Sequence, residues 1–572
     1  MAAQFDLVVR GGTIADGTGG PLFEADVAVL DGKLAAIGQD LGAGREEIDA
    51  RGRLVTPGFV DVHTHYDAQL TWSERLTPSS NHGVTTVVTG NCGVGFAPCR
   101  ESDRDALVRL MEGVEDIPEV VMAEGLPWDW GSFPEFLDAV ERRPHDIDFA
   151  VLLPHSALRV FVMGERALQL EPATAEDCAA MRAITREAMA AGAAGFGTSR
   201  NILHQASDGR PIPSMAAEEA ELREIALGMQ DAGRGQMQAI AITRDPCVED
   251  FELFHRVARA AHRRVSYTLL PLDFRPDLWR AVTASIAREN AAGGQVKAQV
   301  FNRPVGIILG LETNHHAFSS HPFYLEHLAD LPLAQRVAEM RKPEVRAELL
   351  SGEGQSSHPL VAGTTRLWSR MYPIGEPANY EPDPATGVLA QAQARGLSPE
   401  EVAYDMLLEN GGQAKLLVAG TGYAKGNLDE IRELLTGPDA VLALGDGGAH
   451  YGLICDASYT TWLLTHWVRD RATGRIDLPR AVRMLSQAPA DLYRFGDRGR
   501  LEPGLKADIN VIDLDRLNLP APKVVRDLPA GGRRLTQDAE GYLATIVSGV
   551  VARRDGADTG ARAGRLVRDA GM

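Results

Sequence analysis

The stretch 57-PGFVDVHTHYDAQ-69 decides how this chain is read. Phe59, Val60 and Val62 make a short apolar run, and Pro57-Gly58 punctuates its start, so the run reads as a buried strand. Side chains along a strand alternate between its two faces. His63 and His65, two residues apart, therefore point the same way at the carboxyl end of that strand. Two convergent neutral imidazoles suit a zinc-like ion. The competing reading is a surface turn that happens to carry two histidines, and the rest of the chain has to choose between them.

Outward from this strand, apolar runs alternate with helix-like segments. Candidate strands lie at 58–65, 84–91, 147–154, 192–198, 236–242, 264–270, 295–301 and 440–445. Eight strands alternating with helices predict an α/β chain with a (β/α)8 TIM-like barrel, whose chemistry belongs at the carboxyl ends of its strands. His63 and His65 fall at such an end. Residues 4–57 and the tail after 497 read instead as short strands between Gly, Pro and Asp turns. They predict a small β-sandwich domain built from both chain ends, since termini often lie close together. The expected division is 1–57 and 498–572 for that domain and 58–497 for the barrel. Residues from about 312 to 439 are too many for one strand-to-strand connection, and they predict a lid inserted over the barrel mouth. Ser398-Pro399-Glu400-Glu401 marks a helix start within it.

Composition narrows the function. Of 572 residues, 44% are hydrophobic and 24% charged, as in ordinary soluble proteins. The formal charge of −20 argues against non-specific nucleic-acid binding and against anionic membrane surfaces. The opening MAAQFDLVVRGG lacks a basic and apolar leader, and no window of 18 apolar residues occurs. Five cysteines make no disulfide framework. A cytoplasmic protein acting on a small molecule is expected, with its oligomeric state unreadable.

The order of parts resembles the amidohydrolase superfamily: a β segment, PGFVDVHTH, a barrel, then an Asp after the last strand in 441-VLALGDGGAH-450. Within it, 82-HGVTTVVTGNCGVGFAP-98, 153-LPHSALRVFVMG-164 and 542-YLATIVSGVVARRDGADTGARAGRLVR-568 resemble the N-acyl-D-amino-acid deacylases, the D-aminoacylases. That resemblance implies a metal held by His63, His65 and Asp446, with Asp446 as general base. It also implies Cys92 as a thiolate ligand at the end of the second strand. The family usually places histidines at the ends of the fifth and sixth strands. Here 235-GQMQAIAITRD-245 and 264-RVSYTLLPLD-273 offer only Gln238, Thr243, Thr268 and Asp273. One Zn2+ ion rather than two is expected, with another divalent metal as the alternative.

The remaining candidates sort by the end of the barrel they reach. His82 and His262 precede their strands and are expected to be structural. His155 follows the third strand, on the metal side, either as a group that binds substrate or stabilises an oxyanion or as a buried, hydrogen-bonded residue. Arg200 and Arg303 follow the fourth and seventh strands, where either suits a substrate carboxylate or a structural salt bridge. His450 lies four residues past Asp446 in a Gly-rich loop, and is expected to bind substrate, to orient Asp446 or to face solvent. Lys297, inside the seventh strand, carries no sign of a carbamylated bridge. The expected function is metal-dependent hydrolysis of a C–N amide bond in an N-acyl-D-amino acid. The alternatives are a cyclic amide, ester or lactone substrate, or an inactive homologue that only binds.

Overall fold

The structure is a computed structural model that describes residues 3–242, 247–352 and 363–568; Thr243 lies outside them. The first five strands are β1 (Phe5–Ile14), β2 (Phe23–Leu30), β3 (Lys33–Gly38), β4 (Gly44–Asp49) and β5 (Leu54–Pro57). The seven that follow belong to the barrel: β6 (Phe59–Asp61), β7 (Val84–Thr89), β8 (Asp148–Pro154), β9 (Gly195–Ser199), β10 (Gln236–Ile240), β11 (Val265–Thr268) and β12 (Val296–Val300). After them come β13 (Gly306–Gly310), β14 (Met371–Pro373), β15 (Lys415–Ala419) and the last barrel strand, β16 (Ala440–Leu442). The tail adds β17 (Ile509–Ile512), β18 (Lys523–Val525), β19 (Arg534–Thr536), β20 (Tyr542–Val547), β21 (Val550–Arg554) and β22 (Ala557–Asp558).

The barrel strands lie in the order β16-β12-β11-β10-β9-β8-β7-β6, all eight within the segments expected from sequence except that β9 runs one residue past its segment. Neighbours are parallel throughout. Parallel strands are covered on both faces, which is why they read as continuous apolar runs. Val60, Val87, Leu152, Phe196 and Met237 are buried in the resulting core. The first and last strands meet just beyond their ends. The Asp446 amide donates to the His63 carbonyl at 3.0 Å, and the His65 amide donates to the Gly447 carbonyl at 2.8 Å. The closing seam of the barrel is thus the place where the two histidines and Asp446 sit.

Strands from both chain ends form one nine-stranded sheet, ordered β22-β21-β20-β17-β5-β1-β2-β3 with β4 on β1. Strand β5 joins the two contributions, parallel to β1 and antiparallel to β17. Val9, Val27, Val55, Ile509 and Ile546 pack together on its inner face. The segment between β12 and β16 carries the antiparallel sheet β13-β15-β14 and several helices. One helix, Pro399–Leu407, starts at the capping box read from sequence: Glu401 N donates to Ser398 Oγ at 3.2 Å, and Ser398 N donates to Glu401 Oε2 at 2.9 Å. This segment has its own apolar cluster, including Leu309, Phe318, Met340 and Leu416, and the cluster takes in Leu453 and Ile454 from just past His450. The insertion therefore packs against the loop that follows Asp446. Among the described residues no helix is long and apolar enough to cross a membrane.

Candidate metal centre

Three segments converge at the seam. His63 and His65 leave β6 with their rings 5.4 Å apart. Cys92 comes from the turn after β7, and Asp446 from the turn after β16. Cys92 and Asp446 both hold left-handed backbone, with φ of 57° and 46°. Such strain in non-glycine residues gathers at functional sites. Gly448, with φ of 90°, lies so close that a Cβ there would stand 2.7 Å from the His65 carbonyl oxygen. Glycine lets the Asp446 turn lie flat on the histidine segment.

The ligand atoms lie at metal-binding spacing. Asp446 Oδ1 is 3.6 Å from His63 Nε2 and 3.5 Å from His65 Nε2. Cys92 Sγ is 3.5 Å from His63 Nε2 and 3.9 Å from His65 Nε2. A zinc tetrahedron with bonds of about 2.0–2.3 Å has edges of about 3.3–3.8 Å, close to these four separations; among the described residues His63, His65 and Cys92 have ligand atoms all within 4.8 Å of one another. Two histidines, a cysteine and a carboxylate are also a zinc-type donor set. Asp446 Oδ1 is buried without a hydrogen-bond partner among the described residues. A buried carboxylate oxygen without a partner is costly, and a cation beside it removes that cost. The residues therefore fit one zinc ion.

The outer partners support the same orientation. Gln299, on β12, donates its amide NH2 to Ser266 Oγ at 3.0 Å, which leaves its carbonyl to accept from His63 Nδ1–H at 2.7 Å. That fixes the tautomer with Nε2 bare and facing the centre. Burial holds His63 down to about 4 and His65 down to about 3, so both are neutral at pH 7. Burial also pushes the Cys92 thiol well above its usual range, with the Glu115 and Asp446 carboxylates adding to the effect. Only a nearby cation makes that thiol a thiolate. Asp61, which accepts from the His63 amide at 3.1 Å, is pushed up to about 8 by burial, against the pull of that hydrogen bond, with Asp446 adding to the rise.

Several candidates sit elsewhere than expected. His155 is fully buried and has no free nitrogen: Nδ1 pairs with Thr198 Oγ1 at 2.8 Å and Nε2 with Glu221 at 2.7 Å. Arg159 binds the same Glu221 carboxylate. Arg200 is held by Asp250 at 2.8 Å and by the Ala217 carbonyl. Arg303 is buried against Asp456 at 3.1 Å and lies over the Tyr380 ring at 3.6 Å. His155, Arg200 and Arg303, read from sequence either as substrate contacts or as internal structural partners, are all paired within the protein. These residues do follow barrel strands, but their polar groups are used to hold neighbouring elements. Asp273 pairs with Arg370 at 2.9 Å, and Lys297 with Asp439 at 2.9 Å. Gln238 accepts from the Cys92 amide at 3.1 Å and so steadies its turn. His82 is buried between Thr461 and the Gln537 carbonyl, whereas His262 is exposed. His450 has its Nε2 3.5 Å from Glu115 Oε2.

Four residues near the mouth escaped the sequence reading. Gln299 was detectable as a polar residue inside a buried strand. Glu115, Arg370 and His204 carried no local signal. His204, whose Nδ1 lies 2.9 Å from Ser199 Oγ, is held down to about 3 by burial, with His450, His65 and His63 adding repulsion. Arg370, from the insertion, keeps a buried Nη1 without a hydrogen-bond partner among the described residues.

An eight-stranded barrel whose seam gathers two histidines, a cysteine and an aspartate at the strand ends has the design of a metal-dependent hydrolase. The chain belongs to the amidohydrolase family, which it matches over residues 46–553. It is 28% identical to the D-aminoacylase of Alcaligenes xylosoxydans xylosoxydans, over 98% of this chain and 97% of that protein. It is 26% identical to the N-acyl-D-glutamate deacylase of the same organism, over 90% of this chain and 88% of that one. The N-acyl-D-glutamate deacylase of Bordetella bronchiseptica, solved with zinc and a phosphonate inhibitor, shares the fold with a TM-score of 0.64. Its identity is 22%, over 99% of both chains.

Proposed function

We propose that this protein is a metal-dependent deacylase of N-acyl-D-amino acids, with His63, His65, Cys92 and Asp446 holding one zinc ion. The observation that carries the proposal is the position of Asp446 Oδ1, between the two Nε2 atoms and without another partner. When bound, the ion would lower the pKa of a water from about 15.7 toward about 7 and polarise the scissile carbonyl. Asp446 accepts the proton of the attacking water and passes it to the nitrogen as the C–N bond breaks. The nitrogen has to leave protonated, because an amide anion is a very poor leaving group. Arg370 supplies the cation for the substrate carboxylate: Asp273 occupies one side of its guanidinium, and Nη1 remains. The insertion that carries Arg370 acts as the lid, and residues 1–57 and 498–572 act as a support domain outside the chemistry. Cys99, Cys178 and Cys455, unpaired outside the proposed metal centre, suit a reducing, cytoplasmic setting.

The test is release of free amine from paired N-acetyl-D- and N-acetyl-L-amino acids by zinc-loaded protein, with Asp446→Ala as control. Hydrolysis of the D series, lost in the variant, is expected. No release from either series by protein that carries zinc would overturn the proposal and move the search to cyclic amides and lactones.

A further inference from the structure

Glu115 ends the helix Arg104–Glu115, in the connection between β7 and β8. Its carboxylate is 1% exposed. Oε1 stands 3.3 Å from His65 Nδ1, and Oε2 stands 3.5 Å from His450 Nε2. Neither oxygen has a hydrogen-bond partner among the described residues, and neither does His65 Nδ1. The main chain fixes this placement. The His450 amide donates to the Glu115 carbonyl, and the Gly452 amide donates to Asp116 Oδ2 at 3.1 Å. Residues 115–116 are thereby tied to the same loop that carries Asp446.

We propose that Glu115 is a positioning residue of the metal centre, orienting His65 and His450 together; the assignment rests on the zinc reading above. The carboxylate faces the Nδ1 side of His65, whereas Asp446 and Cys92 face Nε2. Glu115 is therefore placed to accept Nδ1–H and leave Nε2 bare, as Gln299 does for His63. A carboxylate behind a ligating histidine fixes its tautomer and ring orientation and raises its basicity. The same carboxylate, through Oε2, keeps the His450 ring beside the centre. The centre thus draws one outer partner from β12 and one from the helix after β7. Neither comes from the strands that lack histidines.

The experiment is zinc affinity by chelator competition for wild-type protein and Glu115→Leu, with thermal melting of the metal-free forms. Losing such a partner typically weakens metal binding about 10- to 100-fold. That loss is expected in Glu115→Leu, with no fall in the metal-free melting temperature. Unchanged zinc affinity defeats this assignment alone. Lower metal-free stability with unchanged affinity assigns Glu115 a packing role and defeats it as well. Wild-type protein that takes up no zinc defeats the deacylase reading and this assignment together. Should Glu115→Leu fail to fold, nitrogen-15 histidine spectra of the zinc-loaded wild type decide. His65 protonated at Nδ1 is expected, and protonation at Nε2 overturns the assignment.

Discussion

The barrel mouth has two unlike sides. On one, the ends of β6, β7 and β16 bring His63, His65, Cys92 and Asp446 within 3.9 Å of a neighbouring ligand atom. On the other, β10 and β11 end in Ile240, Ala241, Thr268 and Leu269, and Thr268 Oγ1 is buried without a partner among the described residues. The polar groups around that second side are spent on internal pairs, Arg200 with Asp250 and Asp273 with Arg370. The four candidate ligands thus share one arc of the rim, while internal pairs take up polar groups on the opposite arc.

The largest effect expected from breaking this asymmetry is at Asp446. Replacing Asp446 with Ala removes the proposed general base and should lower kcat by about 10²- to 10⁴-fold. Circular dichroism should show the fold retained. Turnover within tenfold of wild type would assign proton transfer to another group. On the opposite arc, Arg370→Gln should raise KM about 10- to 100-fold with kcat nearly unchanged, the loss of one charge-assisted hydrogen bond. An equal fall in kcat would instead point to a role for Arg370 in the transition state.

Metal counting sharpens the comparison further. Plasma emission should find one zinc per chain in wild type and close to none in His65→Ala. Two zincs per chain in wild type would mean that the apolar arc hides a second site. The arc can also be converted. Gln238 and Ser266 reach the centre through Cys92 and Gln299, so Ile240 and Thr268, two residues further on, share their faces. The double variant Ile240→His and Thr268→His is expected to raise the count from one toward two. A count that stays at one would show that these positions do not face the ion.

How much of this was legible in the sequence follows from distance along the chain. The eight barrel strands were readable because buried parallel strands are unbroken apolar runs bounded by Gly and Pro. The convergence of His63, His65, Cys92 and Asp446 was readable because each lies within a few residues of a strand end. His155, Arg200 and Arg303 also follow strands, yet Glu221, Asp250 and Asp456 claim them from 50 to 153 residues away. No local pattern announces such a partner. Glu115 and Arg370 reach the mouth from a helix end and from the insertion, where the sequence shows only ordinary charged residues.

The smallest effect expected is a pH dependence that separates the ion from the fold. In the metal-free protein Asp61 is pushed up to about 8 by burial, against its usual value of about 3.9 in the unfolded chain. Between pH 6.5 and 8 the native state thus holds a proton that the unfolded state has lost. Stability falls with rising pH wherever the native state binds more protons. One such proton is worth up to about 2 kcal/mol over that range. Asp456, pushed up to about 7 by burial against the pull of Arg303, contributes over the lower half. The histidines, held far below 6.5 by burial, affect stability mainly below this window, where the unfolded chain takes up their protons. The melting temperature of metal-free protein should therefore drop from pH 6.5 to 8, and Asp61→Asn should flatten the drop. Zinc-loaded protein should be less steep, because the ion offsets the charge that Asp61 acquires beside Asp446. An identical slope in Asp61→Asn would place the missing proton on another group, and an identical slope with and without zinc would separate Asp61 from the metal arc altogether.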